Sequence, residues 1–191
     1  GVVQNLLEKV DCLMIGGGMA NTFLKAKGYE MGTSLVEDDK TALAQEIMQH
    51  AEQLGKKLLI PVDLTVATAI EQPETAQTVA ADQVPADKMA LDIGPETVKL
   101  YQQAVADAKT VIWNGPMGVF EVNAFAVGTF AVAQTVAASD AYSIVGGGDS
   151  VASIEKAGLN DKINHISTGG GASLEFLEGK KLPGIEVLQN K

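Results

Sequence analysis

Three glycines and a carboxylate, Gly146-Gly-Gly-Asp149, stand between a short apolar run ending at Val145 and a helical pattern starting near Ser150. Residues without a Cβ let successive backbone N–H groups converge, and the helix that follows points its positive end at the same place. An anion fits there, phosphate above all. A carboxylate at that position repels phosphate unless a cation lies between them, which implies Mg²⁺, or unless the side chain turns back to cap the helix. A plain tight turn explains the same residues without any ligand.

The strand, glycine triplet, helix device occurs twice more, at Gly16-Gly-Gly18 and in Ser167-Thr-Gly-Gly-Gly-Ala-Ser173. Either triplet could serve only to let helix and sheet approach closely. A fourth connection, Asn114-Gly-Pro-Met-Gly-Val-Phe-Glu121, offers an amide, two glycines, a proline, an apolar pair and a carboxylate. Together these could hold a flat base and two ribose hydroxyls; the plainer alternative is a compact loop with Glu121 exposed.

These residues need a scaffold, and its elements are legible from periodicity. Val2, Val3, Leu6, Leu7 and Val10 mark an amphipathic helix running directly into the apolar strand Cys12–Ile15, with no strand ahead of the helix. Ser34 and Glu37 have capping-box spacing ahead of a helix reaching about Leu54, which Gly55 stops. Further strands are expected at 57–60, 89–93, 110–113, around 142–145 and at 163–166. Helices are expected from Pro95 to about Ala108 and from about Phe125 to Ala138. Asp63, just past a strand, is read as a turn aspartate in preference to a functional one. Residues 65–88 read as excursions and short hairpins outside the main sheet, and His50 and His165 are given no role. The alternation predicts an α/β fold, a doubly wound and mainly parallel sheet with helices on both faces, whose glycine connections gather at one edge.

Length and composition narrow the possibilities. The chain has 191 residues, 46% of them hydrophobic, which suits one domain. Its net charge of −10 argues against nucleic acid or an anionic membrane as partner. All fourteen basic residues are lysine, so a bidentate arginine clamp on phosphate must come from elsewhere. The single Cys12 fits a reducing, cytoplasmic setting as a buried, inert thiol. Beginning at a glycine and entering a helix at once, the chain reads as a fragment.

Among nucleotide chemistries, the dinucleotide fingerprint lacks its third glycine, since Val151 stands there, and none of the triplets is followed by the Walker lysine. What remains is a site in which glycine amides and a carboxylate-held Mg²⁺ treat the phosphates. Seven motifs in order, Gly16–Phe23, Gly32–Leu35, Ile60–Asp63, Leu91–Pro95, Trp113–Glu121, Gly146–Asp149 and Ser167–Ala172, make the chain resemble the carboxyl-terminal, nucleotide-binding half of the phosphoglycerate kinases. The resemblance implies reversible phosphoryl transfer between ATP and 3-phosphoglycerate in glycolysis, with ADP or ATP bound as its Mg²⁺ complex on this half.

Carried across, Gly16, Gly17, Leu35, Leu91, Pro116, Gly118 and Val119 would enclose adenine, Glu121 would accept the ribose hydroxyls, and Asn114 would contact the phosphate chain. Asp149 would hold Mg²⁺, the amides of Gly147, Gly148 and Ser150 would meet the α and β phosphates, and Gly148, Gly170 and Gly171 would face the transferring group. The family's Gly-x-Lys-x-x-x-Lys stretch belongs just ahead of the first helix and is not in this sequence. The arginines and histidine that grip 3-phosphoglycerate belong to an amino-terminal domain also outside it, on which the last ten to twenty residues here would pack. The isolated chain is thus expected to be inactive and its parent a monomer. Two other readings stay open: a non-catalytic nucleotide-binding module and an atypical dinucleotide oxidoreductase domain.

Overall fold

The structure, a computed structural model, describes residues 2–167 and 169–188. In chain order the elements are α1 (Val2–Lys9), β1 (Cys12–Met14), α2 (Gly17–Ala26), α3 (Thr41–Gln53), β2 (Lys57–Leu59), β3 (Asp63–Ala67), β4 (Gln77–Ala80), β5 (Met89–Ile93), α4 (Pro95–Ala106), β6 (Thr110–Asn114), α5 (Val127–Ala138), β7 (Tyr142–Gly146), α6 (Gly148–Lys156), β8 (His165–Ile166), α7 (Gly170–Leu177) and α8 (Pro183–Glu186). This is an α/β fold in which three strand pairs joined through helices are parallel: β1 with β2, β6 with β7, and β7 with β8.

Side-chain alternation along the strands shows how helices come to lie on both faces. Leu13 and Leu58 pack with Leu7, Phe23 and Ile47 from α1, α2 and α3, whereas their neighbours Met14 and Leu59 face the opposite way, toward Tyr101, Val105 and Val132 from α4 and α5. Tyr101 is buried at 1% exposure and donates its hydroxyl proton to the Ile15 carbonyl, so α4 is fixed to the end of β1 by packing and a hydrogen bond together.

Three departures from the sequence expectations have physical causes. First, β5 does not join the parallel strands. It pairs antiparallel with β3, which pairs antiparallel with β4, and the three form a separate small sheet that includes the hairpin residues expected outside the main sheet. Second, the capping box at Ser34 does not form. Ser34 Oγ accepts a hydrogen bond from the Ala90 amide on β5, Thr22 Oγ1 accepts one from the Glu37 amide, and a 3-10 turn over Asp38–Lys40 precedes α3. Tertiary partners have outcompeted the local motif. Third, Asp63 is neither a loop turn nor exposed: it starts β3, and its carboxylate accepts the Glu96 and Thr97 amides at 3.0 and 2.7 Å, capping α4 from a distant part of the chain.

β1 and β6 each pair on one side only, and their free edges face each other across an apolar slot. The slot is lined by Cys12–Ile15, Thr110–Trp113, Val132 and Val136, and it forms part of a cavity of about 1440 Å³ that opens toward Gly16–Gly18 and Pro116–Val119. Ile112 is 45% exposed there, in the middle of a strand. Among the described residues, no helix is long and apolar enough to cross a membrane.

Candidate functional site

β1, β6, β7 and β8 are each followed by a glycine turn, and neighbouring turns touch. The Gly17 amide donates to the Met117 carbonyl at 3.1 Å, joining the turn after β1 to the loop after β6. A Cβ on Gly17, whose φ is +60°, would lie 2.8 Å from the Pro116 carbonyl, so neither the conformation nor the space suits a side chain. The Gly115 amide donates to Ser150 Oγ at 2.6 Å, which ties that loop to the first turn of α6. Gly147, with φ +88°, is packed against the Asn114 side-chain oxygen. Beyond β7, the hydroxyls of Ser167 and Ser173 hydrogen-bond to each other next to Gly146.

The residues singled out from sequence fall into two groups. Gly16, Gly17, Leu35, Leu91, Asn114, Pro116, Gly118 and Val119 all line the cavity. Leu35 is 78% exposed at its rim, its backbone held by Asn21 Nδ2 at 3.2 Å. The second group, Gly147, Gly148, Asp149, Ser150, Gly171 and Glu121, lies outside the cavity lining. The first intrahelical hydrogen bond of α6 runs from Val151 to Gly147, and that of α7 from Ser173 to Gly169. The amides of Gly148, Asp149 and Ser150, and those of Gly170 and Gly171, therefore precede the first bond of their helices, as donors at a positive helix end. A Cβ at Gly148 or Gly171 would meet nothing within 4 Å, so neither position is crowded on its side-chain side. The Ser150 side chain is fully buried and serves the loop. Thr168, within the third glycine motif, and residues 189–191 lie outside the described residues.

Asp149 is exposed in the first turn of α6, whose N-cap is Gly147, and that helix start carries no side-chain cap hydrogen bond. The capping explanation for this carboxylate is thereby excluded in its usual form. Among the described residues no group of three or more His, Cys, Asp or Glu could enclose a metal. Cys12 is half-buried rather than buried, and burial raises its thiol pKa.

Sequence reasoning passed over Asp92, the one carboxylate inside β5. It is 3% exposed and accepts the amides of Ile93 at 2.9 Å and Gly128 at 2.7 Å, so it caps α5 and lies directly against Gly118. Val119 donates to the Leu91 carbonyl at 2.9 Å, while Met117 and Gly118 donate to Thr129 Oγ1 at 3.0 and 3.2 Å. β5 and α5 thus form the floor under the loop. The signal available in the sequence was an acid in an otherwise apolar strand, Met89-Ala-Leu-Asp-Ile93.

Burial raises the Asp92 pKa from an ordinary 3.8 to about 7, with the two amides pulling it down less than burial pushes it up. Because the folded state holds this proton more tightly than the unfolded one, Asp92 costs stability as pH rises from about 4 to 7, and the full cost applies above that window. Asp92→Asn keeps an acceptor and removes the charge. Unfolding titrations across pH 4–8 should show the wild type losing stability relative to the variant by up to ~4 kcal/mol. Parallel curves for the two proteins would mean that Asp92 titrates normally.

Strand order and helix placement define an α/β protein of the doubly wound class. The particular family follows from comparison with known proteins. The phosphoglycerate kinase family model matches residues 1–180, and the chain belongs to that family. It is 63% identical over 190 residues to the phosphoglycerate kinase of Moorella thermoacetica and 58% identical over 193 residues to that of Koribacter versatilis, covering all of this chain and 48% of each relative. The solved phosphoglycerate kinase structure from Coxiella burnetii superposes with a TM-score of 0.93 at 48% identity, and that from Pyrococcus horikoshii with 0.83 at 35%. Each covers 97% of this chain, which spans 48% and 47% of those two proteins. The chain spans about half the length of the curated relatives it matches.

Proposed function

We propose that this chain carries the Mg²⁺-ADP/ATP site of a phosphoglycerate kinase, and that 3-phosphoglycerate is held by an amino-terminal half outside these residues. The observation that supports this most directly is the hydrogen-bonded union of the glycine turns with the 114–121 loop around one apolar cavity. In this reading adenine enters between Gly16, Gly17 and Leu35 on one side and Leu91, Pro116, Gly118 and Val119 on the other. Glu121 accepts from the ribose hydroxyls, and Asn114 contacts the phosphate chain. The amides of Gly147, Gly148 and Ser150 meet the α and β phosphates, and those of Gly148, Gly170 and Gly171 stabilise charge on the transferring group.

The residues present suit Mg²⁺. It binds through one or two carboxylates, with phosphate oxygens and water completing its shell, and Asp149 offers one uncommitted carboxylate beside unpaired amides. When bound, the ion neutralises phosphate charge that this arginine-free chain does not.

The slot between β1 and β6 belongs to the same proposal. A strand leading through α1 into β1 by a right-handed crossover lands beside β1, and β2 already occupies the other side. The family's Gly-x-Lys-x-x-x-Lys stretch, placed by the resemblance just ahead of α1, would fill the slot and bring its lysines to the edge where the glycine turns meet. The exposed tail residues Ile185, Val187 and Leu188 (58%, 78% and 69%) would pack on the amino-terminal half.

Titration calorimetry tests the site: Mg²⁺-ADP should bind this chain, more weakly than it binds an intact enzyme, and NAD should not compete. Absence of binding at millimolar Mg²⁺-ADP would overturn the site assignment, and preference for NAD would favour an oxidoreductase domain.

A further inference from the structure

Lys156, at the last turn of α6, is absorbed by none of the roles above. A lysine at that position ordinarily offsets the negative end of its own helix. Here the side chain crosses instead to the 114–121 loop, where Nζ donates to the Phe120 carbonyl at 2.8 Å and the Glu121 carbonyl at 3.2 Å. The same ammonium lies 6.0 Å from the centroid of the Phe120 ring and 5.8 Å from that of Phe130 on α5. One cation therefore links α6, the loop and α5 through two charge-assisted hydrogen bonds and two aromatic faces.

The other end of the loop is held by the same helix, because Ser150 Oγ accepts the Gly115 amide. An α-helix rises about 9 Å over the six residues from Ser150 to Lys156. The five residue steps from Gly115 to Phe120 could extend to ~17 Å if unrestrained. Holding both ends on one short helix keeps the loop folded over its floor of Leu91 and Thr129.

We propose that Lys156 is a positioning residue that fixes Glu121 relative to the first turn of α6, so that the ribose and phosphate ends of a nucleotide are registered by a single helix. This rests on the nucleotide reading above. Glu121 is exposed, and its backbone carbonyl is what Lys156 grips, so the lysine aims the carboxylate without touching the ligand.

The test uses the full-length protein with three variants, Lys156→Met, Lys156→Gln and Lys156→Arg, and two ligands, Mg²⁺-ADP and its 2′,3′-dideoxy analogue. Lys156→Met and Lys156→Gln should each weaken ADP binding about tenfold. They should leave dideoxy-ADP binding nearly unchanged, so that the preference for the ribose hydroxyls collapses, and Lys156→Arg should restore most of it. An unaltered ratio of the two affinities in both neutral variants, whatever their melting temperatures, would overturn the proposal. If the wild type binds no ADP, the nucleotide reading fails first, and amide hydrogen exchange in the ligand-free protein decides on Lys156. Faster exchange from Val119 to Val122 in the neutral variants supports the strut, and unchanged exchange removes it.

Discussion

Residues 1–191 alone will show no measurable phosphoglycerate kinase turnover, even where they bind nucleotide. Cationic groups must surround a phosphoryl group in transit, and this chain offers backbone amides, one carboxylate suited to Mg²⁺ and no arginine. Lys156, whose ammonium reaches the Glu121 carbonyl, is committed to two loop carbonyls and two rings. No acceptor site is proposed within these residues, so the advantage of oriented binding, on the order of 10⁵ M or more in effective molarity, is lost. The open edges of β1 and β6 make a second outcome testable. Supplying an amino-terminal half that includes the Gly-x-Lys-x-x-x-Lys strand should restore part of the turnover, whereas the same half cut just before that strand should not. Coupled assay of both mixtures, with host enzyme excluded, reads the difference. Sustained turnover by the 191-residue chain would end this account of how the catalytic groups are divided.

How much of this was legible before the structure depends on whether a residue's partner is local. Strand and helix periodicities placed β1, β2, β6, β7 and the main helices, because a parallel strand covered on both faces leaves an unbroken apolar run such as Leu13–Ile15. Pairing direction was not legible for β5, whose apolar run looks the same in either sheet; its antiparallel place follows from the β3–β4 hairpin it completes. Ser34 had the right spacing for a cap and took the Ala90 amide instead, a partner 56 residues away. Asp63 and Asp92 cap helices to which they are not adjacent in sequence, reaching Thr97 and Gly128 across 34 and 36 residues. The same holds at the candidate site. Glycine turns announce themselves because the conformation is local, as at Gly147. The groups that set their mutual spacing, Ser150, Thr129 and Lys156, act through contacts that no short motif encodes.

Asp149→Ala will abolish the Mg²⁺ dependence of ADP binding with little change in stability. Two accounts of this carboxylate compete, and the structure separates them by what it contacts. A helix-capping aspartate would accept an amide at N2 or N3 from the N-cap position, and its loss would cost ~1 kcal/mol. Gly147 holds the N-cap position and Asp149 follows within the first turn, without a cap hydrogen bond, so the fold loses only an exposed charge near a helix dipole, worth about 0.3–1 kcal/mol. As a metal ligand the same carboxylate matters far more. Even outer partners of metal ligands change affinity on the order of 10–100-fold when removed, so loss of a direct ligand should cost at least as much. The measurement is ADP affinity at zero and saturating Mg²⁺ for both proteins, beside their melting curves. Wild type should bind more tightly with Mg²⁺, and the variant should bind equally with and without it at near-native melting temperature. A variant that keeps the full Mg²⁺ enhancement would move the metal away from Asp149, and a large fall in melting temperature with binding intact would restore the structural role.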